Sequence, residues 1–117
     1  MRDEPLVVTA KSGLREGTTI LVLQGPLTLQ NTFGFQRDLA QHKPAVLIII
    51  DLTESPYMDS AGLGLLMNGY VSAEKSGRKF LLAGANHRIT ALLETTKVDL
   101  LLKSYATAAD AEASVRA

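Results

Sequence analysis

The stretch AVLIIIDLTESPYMDSAGLG, residues 45–64, decides the fold of this 117-residue chain. Its first eight residues are almost continuously apolar and rich in isoleucine, which is typical of a β-strand buried on both faces. The next residues are polar, and an acid, a hydroxyl and two glycines then precede a helical pattern. The stretch therefore predicts a central parallel strand that leads through a short loop into a helix.

The helix after this loop is predicted by the spacing of its apolar residues. Five of them fall at i, i+3, i+4, i+7 and i+8, on one face of an α-helix: Leu63, Leu66, Met67, Tyr70 and Val71. The pattern ends near Ser76, and Gly77 is typical of the left-handed residue that closes a helix. We therefore expect a helix that opens at this motif and ends near residue 76.

The segments before the central strand predict a hairpin and one helix. Residues 6–10 and 18–24 are short β-rich runs, and the polar turn between them, residues 12–17, contains two glycines. A helix is expected from residue 31 or 32 to about residue 42, where Pro44 closes it.

The segments after the second helix continue the alternation. Residues 79–84 are a further strand, and Asn86 is expected to cap a helix that runs to about residue 95. Residues 99–105 are either a last strand or a loop, and residues 107–115 form a final alanine-rich helix that opens on a capping-box pattern. The order β-β-α-β-α-β-α-(β)-α predicts an α/β fold in one domain over the whole chain, with a small mixed, mostly parallel β-sheet flanked by about four helices.

Composition argues against several classes of function. Lys and Arg total 12, as do Asp and Glu, so the chain lacks the basic excess of a nucleic-acid reader. There is no cysteine and no paired spacing of His, Asp or Glu, so we expect no disulfide, metal site or cofactor. The longest apolar run is too short to cross a bilayer, and the N-terminus lacks the pattern of a signal peptide. We expect a soluble, cytoplasmic protein without direct membrane insertion.

The hydroxyl of Ser60 has two structural interpretations. As a helix cap, it would accept a hydrogen bond from the amide of Gly62 or Leu63. As part of a phosphate cradle, it would stand beside Gly62 and Gly64, which begin a G-x-G. The third glycine of G-x-G-x-x-G would then fall at Met67, and no lysine follows to make a P-loop.

A catalytic interpretation requires Ser60 to be a nucleophile. The hydrolase elbow G-x-S-x-G matches at Ser60 and Gly62, but Met58 stands where the first glycine belongs. His87 would have to act as the base, and Asp59, adjacent to the serine, is badly placed to orient that histidine. The enzyme hypothesis is therefore weaker than the others, and we expect no catalytic residues.

A regulatory interpretation treats Ser60 as a phosphoacceptor. The amides and dipole at a helix N-terminus favour an added anion, and a phosphoryl group adds about −1.5 to −2 charges. The small neighbours Ala61, Gly62 and Gly64 leave the hydroxyl open to another protein. Asp59 would stand beside the phosphate, so modification concentrates negative charge and expels a partner that docks through apolar contacts.

Two segments resemble the STAS domain, the family of sulfate transporters and anti-sigma-factor antagonists. IIIDLTESPYMDSAGLGLL, residues 48–66, is similar to the family's strand, D-L, short loop and D-S-[SA]-G-[LI]-G motif. SGRKFLLAGANHRITALLETTKVDLLLKSYAT, residues 76–107, looks like its sequel of strand, leucine-rich helix and short apolar segment. The resemblance covers nearly the whole chain.

The resemblance implies a bacterial anti-sigma factor antagonist. Such a protein binds an anti-sigma factor that is also a serine kinase, and the kinase phosphorylates the serine that corresponds to Ser60. A serine phosphatase reverses the modification, and the ATP and magnesium belong to the partner. The unmodified form captures the kinase and the phosphorylated form releases it.

The resemblance also places the partner-binding surface around Ser60. We expect it to comprise Thr28, Asn31, Tyr57, Met58, Asp59, Ala61, Gly62, Leu63 and Gly64. Gly62 and Gly64 either admit the kinase backbone or pack within the domain, and one of Tyr57 and Met58 is expected to be buried because neighbouring side chains in an extended stretch point in opposite directions.

The sequence departs from the family pattern after the second strand. Many antagonists carry an aspartate there in a G-x-[LI]-D pattern, whereas this chain has Thr28. The alternative function is therefore a non-enzymatic STAS scaffold subunit of a larger signalling or lipid-transport assembly. A serine hydrolase is the third and weakest alternative.

Overall fold

The computed structural model describes residues 5–41 and 45–115. These residues form five strands: β1 Val7–Ser12, β2 Thr18–Gln24, β3 Leu47–Glu54, β4 Lys79–Ala83 and β5 Ser104–Tyr105. They also form four α-helices: α1 Thr32–Gln41, α2 Ser60–Lys75, α3 His87–Thr95 and α4 Ala108–Ala113. Short 3₁₀ turns, Leu29–Asn31 and Val98–Leu100, precede α1 and β5.

The strands form one sheet in the order β1-β2-β3-β4-β5, with β3 at its centre. β1 and β2 are an antiparallel hairpin, whereas β2 to β5 run parallel to one another. Ile49 of β3 lies opposite Ile20 on one side and Leu81 on the other. The predicted mixed, mostly parallel sheet is therefore confirmed, with β3 as the central parallel strand.

Alternate side chains of β3 enter two hydrophobic layers. Ile48, Ile50 and Leu52 belong to the layer that includes side chains of α1, α2 and α3, whereas Leu47 and Ile49 belong to the layer that includes α4. All five are at most 3% exposed. Because successive side chains of a strand point to opposite faces, an unbroken apolar run is what a strand covered on both faces requires.

The buried face of α2 differs from the predicted stripe. Leu65 and Ala73, which lie outside that stripe, are buried, whereas Val71, which lies within it, is 44% exposed. A Cβ added at Gly69 would lie 2.7 Å from Cε2 of Phe80. Small residues thus let α2 approach the sheet closely. The prediction did not count Gly69 and Ala73, which lie four and eight residues after Leu65 on the same face, and it therefore placed the buried face too far toward Val71.

Capping residues define several helix ends as predicted. Gly77 follows α2 with a left-handed φ of 71°. Asn86 caps α3 by accepting a hydrogen bond from the amide of Ile89 at 2.9 Å. Thr107 caps α4 in the same way with the amide of Asp110, at 3.0 Å.

Three further boundaries complete the comparison with the sequence. Residues 99–105 contain most of the second 3₁₀ turn and then β5, so both alternatives for this segment are partly right. The last helix, Ala108–Ala113, is shorter than the predicted range 107–115. Pro44 and the expected end of α1 at residue 42 lie outside the described residues.

The carboxylate of Glu112 holds α4 against the β1–β2 turn through hydrogen bonds. Glu112 is 5% exposed, and its oxygens accept hydrogen bonds from the amides of Leu14 at 3.0 Å and Arg15 at 2.6 Å. The guanidinium of Arg15 in turn donates to the carbonyl oxygen of Val115. The polar attachment supplements the small apolar contact made by Ala111, which is fully buried.

Candidate functional site

Ser60 is the first residue of α2, at the end of the sheet where the parallel strands β2, β3 and β4 terminate. Its side chain is exposed. Among the described residues, none forms a hydrogen bond with its hydroxyl, and the amides of Ser60 and Ala61 have no acceptor. The side chain of Ser60 is therefore exposed, and no described acceptor occupies the two amides beside it.

Asp59, and not Ser60, is the N-cap of α2. Asp59 has extended backbone angles, φ −105° and ψ −174°, and its Oδ1 accepts a hydrogen bond from the amide of Gly62 at 2.9 Å. The expectation that Ser60 caps the helix is wrong, because Ser60 already lies inside the first turn. Since a carboxylate performs the capping, the serine hydroxyl has no structural hydrogen bond to maintain.

The same carboxylate connects two loops. Its Oδ2 accepts a hydrogen bond from the amide of Leu29 at 3.1 Å. Two backbone hydrogen bonds lie beside this contact. The amide of Leu27 donates to the carbonyl oxygen of Tyr57 at 3.1 Å, and the amide of Asp59 donates to the carbonyl oxygen of Leu27 at 3.2 Å. These three hydrogen bonds, together with one from Oγ of Ser55 to the carbonyl oxygen of Gly25 at 2.8 Å, join the loop after β2 to the loop after β3 and fix the backbone around Ser60.

The two glycines of the motif have different roles. A Cβ added at Gly62 would lie 2.3 Å from the carbonyl oxygen of Leu27, so the bare backbone is needed for α2 to approach the loop after β2. A Cβ added at Gly64 would meet no described atom within 4 Å, and Gly64 is exposed. Gly62 is therefore a packing glycine, whereas Gly64 leaves an open surface on the first turn of α2.

The loop after β2 is held by the side chain of Asn31. Its Nδ2 donates to the carbonyl oxygen of Pro26 at 2.7 Å and approaches the hydroxyl oxygen of Thr28 at 3.4 Å. Leu29, which lies between Thr28 and Asn31 in the sequence, is 63% exposed although it is a large apolar residue. Leu29 was not among the expected binding residues, and no periodic pattern in its segment marks it.

The start of α3 closes the other side of the site. Asn86 donates from Nδ2 to the carbonyl oxygen of Pro56 at 2.9 Å. The guanidinium of Arg88 lies over the ring of Tyr57, 4.9 Å from its centre, a cation–π contact. Arg88 was also missed from the sequence, because only folding brings it to the loop that carries Tyr57.

The expected binding residues separate into accessible and buried groups. Ser60 and Gly64 are exposed, and five others are half-buried at the surface: Thr28, Asn31, Tyr57, Asp59 and Ala61. Three are buried: Met58, Gly62 and Leu63. In the chain alone these three lie beneath the surface, and their contact with a partner stays a prediction. Met58 is buried and Tyr57 is half-buried, so one of the two is buried, as predicted.

The catalytic and metal-binding interpretations concern His87 and the acidic side chains. Neither the ring of His87 nor any other described base forms a hydrogen bond with the hydroxyl of Ser60, although His87 begins the neighbouring helix α3. In residues 5–41 and 45–115, no group of three or more His, Asp or Glu side chains is arranged to hold a metal ion. No helix within those ranges has the length and apolar character needed to cross a bilayer.

Comparison with known proteins gives a consistent family and fold. The family model described as the STAS domain matches residues 11–111. The Anti-sigma-B factor antagonist of Listeria monocytogenes is 36% identical over 59 residues, which are 50% of this chain and 52% of that protein. The match therefore spans about half the length of this curated relative.

Solved structures match over almost the whole chain. One is a Thermotoga maritima protein provisionally assigned as an anti-sigma factor antagonist, with 26% identity, a TM-score of 0.86 and coverage of 94% of this chain and 95% of that one. Unphosphorylated SpoIIAA has a TM-score of 0.78 at 17% identity and covers 94% and 96% of the two chains. At that identity the likeness to SpoIIAA concerns the fold alone.

Proposed function

Because this chain belongs to the STAS domain family, we propose that it is an anti-sigma factor antagonist that phosphorylation of Ser60 switches off. The unmodified protein binds an anti-sigma factor that is also a serine kinase. The proposal draws support from its likeness to the Anti-sigma-B factor antagonist of Listeria monocytogenes. A serine phosphatase restores the unmodified form, and the ATP and magnesium required for phosphorylation are held by the kinase.

The observation that carries this proposal is that Asp59, and not Ser60, makes the hydrogen bonds that hold the start of α2. Asp59 caps α2 and binds the loop after β2, so the hydroxyl of Ser60 is exposed and makes no hydrogen bond to the described residues. A kinase can therefore modify Ser60 without breaking a contact that holds the domain together. The fold of the phosphorylated SpoIIAA structure, with a TM-score of 0.72, is also that of this chain.

Phosphorylation changes the surface by charge and not by unfolding. The free amides of Ser60 and Ala61 and the helix dipole favour a phosphoryl group at this position. The added charge of about −1.5 to −2 stands beside the carboxylate of Asp59 and near the exposed side chain of Leu29. A partner that buries Leu29 must then desolvate adjacent negative charges, which weakens its binding.

The phosphoacceptor is tested by incubation with magnesium, ATP and an anti-sigma factor serine kinase from the same genome. Mass spectrometry should locate the phosphate on Ser60, and Ser60→Ala should abolish it. Ser72→Ala is the matched control, because Ser72 is an exposed serine further along α2, and it should be phosphorylated like the wild type. Phosphate found only at other residues contradicts the proposal.

A scaffold function is the second candidate, and Thr28 is the observation that favours it. The hydroxyl oxygen of Thr28 lies 3.4 Å from Nδ2 of Asn31, and this position lacks the carboxylate that many antagonists carry. If the chain is a scaffold subunit, the variants Ser60→Ala and Ser60→Asp should bind the partner equally well. If it is an antagonist, Ser60→Ala should bind the partner and Ser60→Asp should lose affinity.

A further inference from the structure

A concavity lies between α1 and α2, over the sheet. Its volume is about 290 Å³, and nine described residues line it: Gln36, Leu39, Ile48, Leu65, Asn68, Gly69, Ser72, Arg78 and Phe80. Asn68 is eight residues after Ser60 in the same helix, about 12 Å along the axis at the usual rise. This cavity is therefore separate from the surface around Ser60.

The floor of the cavity is apolar and well supported. Ile48, Leu65 and Phe80 are between 3% and 8% exposed and belong to the main hydrophobic layer. The ring of Phe80 lies so close to α2 that a Cβ at Gly69 would be 2.7 Å from its Cε2 atom. A glycine at this point lets an aromatic ring form the floor, where a larger residue would push it aside.

The rim of the cavity is polar and carries one positive charge. Gln36, Asn68 and Ser72 supply amide and hydroxyl groups, and the half-buried residue Arg78 supplies a guanidinium. Among the described residues, that guanidinium donates one long hydrogen bond, from Nη1 to the carbonyl oxygen of Ala45 at 3.4 Å. None of the described residues that line the cavity is acidic, so none of them neutralises the charge of Arg78.

We propose that this cavity binds a small anion with an apolar body, of the chemical class of a fatty acid. The apolar floor takes the hydrocarbon part, and Arg78 takes the carboxylate through charge-assisted hydrogen bonds. An apolar pocket with a few convergent polar groups is the usual form of a small-molecule site, and 290 Å³ is close to the lower end of the usual size. A neutral ligand leaves Arg78 without a counter-charge.

Decanoate is the probe that tests both halves of the proposal. Its binding to the full chain is followed by NMR, below the concentration at which decanoate forms micelles. Methyl resonances of Leu39, Ile48 and Leu65 should shift in a saturable manner, and decan-1-ol should bind about tenfold more weakly or worse because it lacks the charge. No saturable shift of these methyl groups overturns the site, and equal affinity for the two probes overturns the role of charge.

Variants of the chain show whether a loss of decanoate binding comes from lost recognition or from misfolding. Arg78→Gln should lower decanoate affinity about tenfold while the rest of the spectrum keeps its native dispersion. Lys75→Gln removes a positive charge from the last residue of α2, three residues before Arg78 and outside the cavity lining, and it should bind like the wild type. Ser72→Phe should block binding by filling the rim. Wild-type affinity in Arg78→Gln, or equal losses in Arg78→Gln and Lys75→Gln, contradicts the proposal.

Discussion

Oδ2 of Asp59 accepts a hydrogen bond from the backbone amide of Leu29 at 3.1 Å, across 30 residues of chain. The other carboxylate oxygen caps α2 through the amide of Gly62. One side chain therefore fixes both the start of the helix that carries Ser60 and the loop that carries Leu29. The position of the proposed phosphoacceptor beside an exposed apolar residue follows from this pair of hydrogen bonds.

Substitution of Asp59 should separate its two contacts. Asp59→Asn keeps an oxygen for the cap but loses the acceptor for Leu29, and we expect a loss of about 1 kcal/mol in the free energy of unfolding. Asp59→Ala loses both, and a loss of about 2 kcal/mol is expected. Urea denaturation measures both values, and equal losses in the two variants would show that the bond to Leu29 contributes nothing.

The two glycines of the motif should respond in opposite directions to alanine. Gly62→Ala places a Cβ 2.3 Å from the carbonyl oxygen of Leu27, so we expect a loss of about 2 kcal/mol or more in stability. Gly64→Ala meets no described atom within 4 Å and should gain about 0.5–1 kcal/mol from helix propensity. Thermal denaturation of the two variants tests this contrast, which similar changes in both would refute.

Leu29 should contribute to partner binding without contributing to stability. Its side chain is 63% exposed, so Leu29→Ala should leave the free energy of unfolding within about 0.5 kcal/mol of the wild type. Affinity for the anti-sigma factor kinase should fall about tenfold if the side chain is buried on binding. Leu100→Ala is the matched control, because Leu100 is 68% exposed in the turn before β5, and it should bind normally.

Glu112 should make stability depend on pH. Burial raises the pKa of its carboxyl, but hydrogen bonds from the amides of Arg15 and Leu14 and from the hydroxyl of Thr18, with the charge of Arg15, outweigh burial and hold the pKa below its usual value. A folded-state pKa below the unfolded value gives stabilisation that is present above about pH 4.3. It is lost as the pH falls through the folded pKa.

The measurement is denaturation of Glu112→Gln over a range of pH. We expect the variant to lose about 1–2 kcal/mol at about pH 7, and the difference from the wild type should shrink as the pH falls below about 4. Glu16→Gln is the control, because Glu16 is exposed in the same turn, and it should change little. A deficit for Glu112→Gln that stays constant through acid pH would contradict the account.

Local patterns in the sequence were enough for the sheet and the helix order. The apolar run of β3, the cap at Asn86 and the glycine at residue 77 each act through neighbours in the chain, so their roles can be read from spacing. The buried face of α2 could not be predicted in this way. The need for a glycine at residue 69 comes from the ring of Phe80 in β4 and not from neighbours in the same helix.

The candidate site was proposed from a motif in the sequence, but the contacts around it could not be predicted from the sequence. The D-S-A-G-L-G motif identifies Ser60, yet it does not show whether residue 59 or residue 60 caps the helix, since both side chains are common caps. The contact of Asp59 with Leu29, and that of Glu112 with Leu14 across 98 residues, join segments that no periodic pattern relates. Such contacts appear only when the strands are placed side by side.

The most direct test of the central claim compares two forms of the protein that differ only at Ser60. Calorimetry would measure the affinity of an anti-sigma factor kinase from the same genome for the unmodified chain and for the chain that carries phosphoserine at this position. We predict that the phosphoserine form binds at least about tenfold more weakly, because it adds charge beside Asp59 and Leu29. Equal affinity of the two forms would contradict the account.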